Sequence, residues 1–325
     1  MAGAPLHRVG IVGQRRDPAL ETVAEILNRL AAVHDLALLP ERGLEDVFHA
    51  AGPFAVDELD LLITFGGDGT LLRGARLVAP RHTPVLGVNL GHLGFLTSVG
   101  PGEFESALDL VMHGDYWLDT RFTLEARVVS GDGGPGGVHL ALNDAVLHKG
   151  GFARVIRLAV FVGEDREEVG EYTADGIILA TPTGSTAYSL SAGGGIVAPG
   201  MECLLATPIC PHTLAVRPLV LPADTPIEVE VRVPTTEVIL TVDGQEGEAL
   251  TSGDRLVVSR GEATVPLVRL HGQSFFATLR RKLHWGIKAA AGPEPGEAPD
   301  DRSNHDPVGD PAADRDGNEG AGNDG

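Results

Sequence analysis

Cysteine is nearly missing from this chain of 325 residues, with Cys203 and Cys210 the only two. Two thiols in so long a sequence exclude a disulfide framework and point to a reducing compartment, with both read as small buried structural thiols. Positive charge is also scarce: 25 Lys and Arg face 45 Asp and Glu, leaving a net charge of −20 and a pI near 4.9. That balance excludes a general affinity for nucleic acid or anionic membrane, because phosphate-rich partners are repelled at long range. No apolar run approaches the roughly 18 residues a membrane span needs. The opening MAGAPLHRVGIVG lacks the basic, apolar and cleavage-site succession of a signal peptide. The cytoplasm is the expected location. His82, His92, His212 and His271 have no spacing typical of a metal site and are read as packing or surface residues, and no internal repeat is present.

What is present is an α/β pattern followed by a β pattern. HRVGIV, then Asp17-Pro18 leading ALETVAEILNRLAAV, then DLALLP reads as strand, helix and strand. Asp17 is suited to the N-cap and Pro18 to the first helical position. DLLITF, GGDGT and LLRGARLVA repeat the unit of buried strand, glycine turn and helix, and TPVLGVNLGHLGFL and EFESALDLVMHG supply another strand and helix. Residues 1–115 are therefore expected to form an α/β domain with parallel strands. Beyond Asp115 the period changes to two, as where Val229 and Val231 alternate with Glu228 and Glu230, and 116–272 is expected to be β-rich. SFFATLRRKLHWGI has helical spacing, so 273–290 is expected to be a helix packing back on the first domain. The tail 291–325 holds ten acids against two arginines and almost no large apolar residue, and is expected to be disordered.

Two segments carry chemistry. Gly66-Gly67-Asp68-Gly69-Thr70 directly follows an apolar strand, the place where open α/β sheets bind ligands. Glycines there let backbone amides approach phosphate oxygens, and the next helix start favours an anion. Gly66, Gly67, Gly69 and Thr70 are the candidate phosphate-donor loop. Asp68 would repel phosphate, so it either accepts a proton from an attacking hydroxyl or helps hold Mg²⁺. The second segment, DGIILATPTGSTAYSLSAGG (Asp175 to Gly194), packs small and hydroxylated residues after a buried strand. It offers donors, hydroxyls and one aromatic face without bulk, which suits a nucleotide.

GGDGT, GVNLGHLGFLT (Gly87 to Thr97), ALNDAVLH (Ala141 to His148), the segment from Asp175, and PHTLAVRPLV (Pro211 to Val220) together resemble the NAD kinase family, in family order. The resemblance implies a Rossmann-like N-terminal α/β domain of the diacylglycerol-kinase and phosphofructokinase type with a parallel sheet, plus an all-β C-terminal domain. It implies phosphorylation of the adenosine ribose 2′-hydroxyl of NAD by ATP to give NADP, and inorganic polyphosphate would present a similar phosphate chain. Asp68 is the implied catalytic base. The implied NAD-binding positions are Asp68, Gly69, Arg73, Asn143, Asp144, Arg154, Asp175, Thr186, Ala187, Tyr188, Ser189, Leu190, Ser191 and Gln245. Many members carry Glu where this chain has Asp144, which keeps the charge and moves the oxygens by about one methylene. The residue two places before Asp175, basic in some members, is Thr173. A divalent cation, Mg²⁺, is expected to be carried by the nucleotide near Asp68 with no fixed protein ligand. A homodimer or homotetramer touching through β-domain surfaces is implied as well. A lipid kinase of the diacylglycerol or sphingosine type shares GGDG, but the acidic body and the other blocks speak against it. An intact Asp68 speaks against a noncatalytic nucleotide-binding regulator.

Overall fold

In the computed structural model, which describes residues 6–285 apart from 92–93, 152–154, 214 and 233–237, the first part winds as strand and helix alternately. β1 (Arg8–Gly13), α1 (Ala19–His34), β2 (Ala37–Pro40), β3 (Leu61–Phe65), α2 (Asp68–Val78), β4 (Val85–Val88) and α3 (Phe104–Met112) follow in order. The strands pair in parallel as β2-β1-β3-β4. All five residues of β3 are buried, as a parallel strand covered on both faces requires. On one face Leu20, Val23 and Leu27 of α1 pack with Phe104 and Leu108 of α3 around Phe48 and Phe65. On the other, Leu71, Leu72 and Val78 of α2 cover Val12, Leu62 and Val85. The helix α1 starts one residue later than its sequence suggests. Pro18 occupies the cap position, and Asp17 Oδ1 accepts from the Ala19 amide at 3.0 Å.

The second part is built of short strands. β5 (Trp117–Val129), β6 (Pro135–Ala141), β7 (Asp144–Lys149), β8 (Ile156–Val162), β9 (Glu167–Ala174) and β10 (Gly176–Ala180) precede a single helical turn, α4 (Tyr188–Ser191). β11 (Cys203–Ile209), β12 (Leu219–Pro222), β13 (Ile227–Val231), β14 (Val238–Val242), β15 (Glu246–Leu250), β16 (Arg255–Arg269) and α5 (Phe275–Leu283) complete the order. Six strands make an antiparallel sheet, β12-β11-β10-β7-β14-β15. Its inward residues, among them Leu147, Ile177, Leu179 and Leu240, meet Val229, Val231, Leu256 and Val258 from the facing strands. Alternation along each strand is what supplies those apolar faces.

The N-terminal α/β part with its parallel sheet and the mostly β C-terminal part are thus both present. The border expected at 115/116 lies in the short link between α3 and β5. Backbone pairing continues past it, because β16 bonds in parallel to β4 at Leu267 and Val85 and antiparallel to β5 and β13. Ten strands therefore form one sheet, and the chain up to Trp285 forms one compact unit. The helix expected over 273–290 is α5, which ends at Leu283 and is capped by Ser274 Oγ, an acceptor for the Ala277 amide at 3.1 Å. Gln273 beside it donates to the Ser98 carbonyl at 2.7 Å, and Lys282 lies 5.5 Å from the Phe95 ring centre. The expected acidic tail lies outside the described residues.

Phe65 stacks on Phe48 with centroids 5.4 Å apart and meets Phe104 edge-on at 5.3 Å, all three fully buried. Phe65→Ala is expected to lower the unfolding free energy by roughly 3–5 kcal/mol, read from urea denaturation midpoints at unchanged slope.

Candidate active site

Only Gly66 and Gly67 separate β3 from α2, so Asp68, Gly69 and Thr70 form the first turn of the helix and not a loop ahead of it. The first amides of an α-helix have no intrahelical partner. Gly67 and Gly69 are exposed, so an anion can reach this end of α2 and gain from its dipole. The Asp68 carboxylate turns toward the segment after β4. Oδ2 accepts from the Phe95 amide at 2.8 Å, while Oδ1 accepts from the Leu96 and Thr97 amides, both at 3.1 Å, and from Thr97 Oγ1 at 3.2 Å. Gly94 makes the approach possible, since a Cβ there would lie 1.8 Å from Oδ1. A carboxylate has about four lone-pair directions. Oδ1 is crowded by three donors, and Oδ2 is the oxygen with room for another hydroxyl or proton.

Across from Asp68, the turn between β6 and β7 presents Asn143 and Asp144. Asp243, at the end of β14, organises it. Its carboxylate, with a side-chain exposure of 0%, accepts from the amides of Leu142 at 3.1 Å, Asn143 at 2.8 Å and Asp144 at 3.2 Å. Arg76 of α2 reaches the same carboxylate at 3.4 Å and donates to Gln245 Oε1 at 3.1 Å, and Gln245 Nε2 donates to the Gly69 carbonyl at 2.7 Å. These contacts tie the turn to the helix that carries Asp68.

The two buried carboxyls are unequal. Burial raises the Asp243 carboxyl, and three amides and Arg76 work against that rise without cancelling it. Asp144 is 5% exposed and its carboxyl has no hydrogen-bond partner among the described residues. Burial first, and then the charge on Asp243, push it up to about 7. Next to it Asn143 Oδ1 is buried with no partner. Two unpartnered acceptors side by side are a place for ligand hydroxyl or amino groups.

The Thr-Pro-Thr-Gly segment docks on this turn. The Thr181 amide donates to the Asn143 carbonyl at 2.9 Å, Thr181 Oγ1 donates to the Leu142 carbonyl at 2.6 Å, and a Cβ on Gly184 would lie 2.2 Å from the Asn143 carbonyl oxygen. Thr186 and Ala187, half-buried, and Tyr188, 47% exposed, follow at once. Leu190 is half-buried and Ser191 exposed. The Ser189 hydroxyl is buried and shared with Thr207 Oγ1 at 2.9 Å.

The structure therefore brings Asp68, Gly69, Asn143, Asp144, Gln245 and the start of the Thr186–Ser191 run into one region. Arg73 does not offer a bare charge to it, because the guanidinium is paired with Glu41, Nη2 to Oε1 at 2.8 Å and Nη1 to Oε2 more closely. Asp175 precedes β10 and pairs with Lys149 at 2.8 Å, whereas Asp144 is in register with Ala180 at the other end of that strand. Five residues of strand put Asp175 about 16 Å from the Asn143 turn. Arg154 and His92 lie outside the described residues. Arg76 and Asp243 are the residues that sequence reasoning passed over. Asp243 reads as an ordinary turn residue in VDGQ, and its signal was its place two residues before Gln245.

The chain matches the model of the ATP-NAD kinase N-terminal domain over residues 9–116 and that of the ATP-NAD kinase C-terminal domain over 142–270. It is 48% identical over 280 residues to an NAD kinase of Gemmatimonas aurantiaca, covering 86% of this chain and 96% of that one. With an NAD kinase of Symbiobacterium thermophilum it shares 47% over 278 residues, covering 84% and 97%. Among solved structures, yeast NADH kinase complexed with NADH superposes with a TM-score of 0.81 at 29% identity, covering 89% of this chain and 90% of that one. An NAD kinase from Archaeoglobus fulgidus in complex with ATP gives 0.66 at 28% identity, covering 85% and 98%.

The raised Asp144 carboxyl has a consequence for stability. A carboxyl held above its unfolded value stabilises the fold below that value, and the contribution is lost as pH rises from about 4 through about 7. The stability difference between Asp144→Asn and the unsubstituted chain should accordingly move in favour of the variant between pH 4 and pH 8. Urea denaturation across that range measures it, and parallel curves would remove Asp144 as the titrating group.

Proposed function

The chain belongs to the ATP-NAD kinase family, and from that premise we propose how its residues carry the reaction. It phosphorylates NAD to NADP, with ATP as donor and the adenosine ribose 2′-hydroxyl as acceptor. The observation that carries the placement of the acceptor is Asn143 Oδ1, buried and unpartnered beside the buried Asp144 carboxyl. Asn143 and Asp144 take hydroxyl and amino hydrogens of the adenosine end, satisfying both acceptors at once. Tyr188, exposed at the rim, gives an aromatic wall for a ring, with Thr186, Ala187, Leu190 and Ser191 around it. Gln245, bonded to the Gly69 carbonyl, keeps the acceptor turn in register with the donor loop.

Asp68 Oδ2 accepts the 2′-hydroxyl proton as the ribose oxygen bonds to the γ-phosphorus. The bond from that phosphorus to the β,γ-bridging oxygen breaks, and ADP leaves with its electrons. The grip of Phe95, Leu96 and Thr97 on Asp68 fixes the oxygen before substrate arrives, so little reorganisation is needed at the moment of transfer. Gly67, Gly69 and the first turn of α2 hold the phosphate chain, which polyphosphate would also offer. Among the described residues no group of three or more His, Cys, Asp or Glu could hold a metal ion. Asp68 is the carboxylate that would face a Mg²⁺ ion carried on the phosphate chain with water as its other ligands, and such an ion would supply charge neutralisation on the phosphates.

Arg73 acts through its pair with Glu41 on the NAD side, and Arg154 toward the diphosphate. Asp175 would meet the same NAD molecule only across about 16 Å of strand, or a neighbouring one in the homodimer or homotetramer that this reading includes. Cys203 is buried as expected but Cys210, which follows β11, is exposed, and both are free; free thiols support a cytoplasmic setting, and no helix among the described residues is long and apolar enough to cross a membrane.

General-base assistance is worth roughly 10²- to 10⁴-fold. Asp68→Asn keeps an acceptor oxygen for Leu96 and Thr97 but loses the basic carboxylate. Its kcat for NADP formation from NAD, ATP and Mg²⁺ should fall by that factor, with a much smaller change in KM for NAD. Near-normal kcat would take Asp68 out of the role.

A further inference from the structure

A cavity of about 500 Å³ shares the Phe95–Ser98 wall with the Asp68 site and is closed by the start of β5, the end of β16 and the first turn of α5. Three charged side chains line it with little exposure. Arg121 is 5% exposed and forks onto Asp119, with Nε to Oδ1 at 2.8 Å and Nη2 to Oδ2 at 2.5 Å, while its Nη1 donates to Thr183 Oγ1 at 3.0 Å. Arg269 is 8% exposed. Its Nε donates to Asp119 Oδ2 at 3.3 Å and its Nη1 to the Leu96 carbonyl at 2.8 Å. Nη2 of Arg269 has no partner among the described residues. Against the cost of burial, Arg121 and Arg269 hold the Asp119 carboxyl below its usual range.

Two guanidiniums share the Asp119 carboxylate, and the Asp68 charge across the Leu96 segment also favours the charged form of Arg269. What remains open on Arg269 is the donor pair of Nη2, with the guanidinium permanently charged. Glu103 also lines the cavity, but its carboxylate accepts from the Gly100 amide at 3.2 Å, and Arg281 on the same lining offsets it. A guanidinium donor left unused on a cavity wall is available to a ligand, and the two N–H groups of Nη2 match the oxygens of a tetrahedral oxyanion. Phe95, Phe275 and the 43% exposed Trp117 give the rest of the lining aromatic surface.

We propose that this cavity is a second anion site, which takes the phosphate group of a small molecule on Arg269, with Arg121 beside it. It is separate from the acceptor turn at Asn143, and the proposal holds whether or not Asp68 is the base. The shared chemistry is phosphate, whether free or borne by a nucleotide whose base lies on the aromatic wall. One backbone segment serves both sites: its amides hold Asp68, and its Leu96 carbonyl is held by Arg269.

Trp117 reports on the cavity directly. In the full chain carrying Trp285→Phe, Trp117 is the only tryptophan, and its emission is to be followed during titration with inorganic phosphate and, separately, with AMP. A saturable change is expected, weakened at least about tenfold by Arg269→Gln, since a hydrogen bond to a charged group is lost. Thr278→Phe fills the cavity from α5 while leaving both arginines in place, and should weaken the response as strongly, which guards against Arg269→Gln acting only through the Leu96 loop. Tighter response to AMP identifies a nucleotide as the source, and equal affinity identifies free phosphate. No saturable change, or unaltered affinity in both variants, overturns the proposal.

Discussion

The site depends on one buried carboxylate, that of Asp243. It gathers the amides of Leu142, Asn143 and Asp144 on one side and Arg76 of α2 on the other. Three amide dipoles and a guanidinium offset part of the cost of burying it. Because Asp243 takes those donors, Asp144 is left as the carboxyl without them, and Asn143 Oδ1 is left buried with no partner. The turn is shaped from behind, so its front is free for a ligand.

A similar economy operates at Asp68. The carboxylate is held by amides of the segment after β4, and Arg269 and Gln273 in turn hold carbonyls of that segment at Leu96 and Ser98. Neither partner comes from the α/β part itself: Arg269 ends β16, and Gln273 precedes α5. The geometry of the Asp68 carboxylate is thus fixed by residues about 200 positions further along the chain. Pre-positioned charges and dipoles of this kind do most of the work in phosphoryl transfer, where the protein makes few covalent bonds itself.

What could be read from the sequence was what local pattern decides. The GGDGT turn after a buried strand, the alternation that builds the β part, and the small-residue run at Thr181–Ser191 depend on neighbours a few residues away, and the structure has each of these elements. Long-range partners left no such mark. Arg73 meets Glu41 from 32 positions away, and nothing near Arg73 announces it. The hydroxyl of Ser189 looks like its neighbours in sequence but packs against Thr207 on β11. Asp175 and Asn143 both belong to nucleotide-like blocks, yet the antiparallel pairing of β7 and β10 places them at opposite ends. Asp243 was hidden because a turn aspartate and an organising one look alike until their amide partners are known.

The unbroken sheet has a mechanical consequence. Two-part enzymes that engulf their substrates rotate about a few backbone links with little pairing across them. Here β16 is bonded to β5 and β13 over much of its length but meets β4 at one position, Leu267 with Val85. A swing of one part against the other would therefore strain a single backbone link, and the side chains of Arg76, Arg269 and Gln273, which reach across to Asp243, Leu96 and Ser98, carry the remaining restraint.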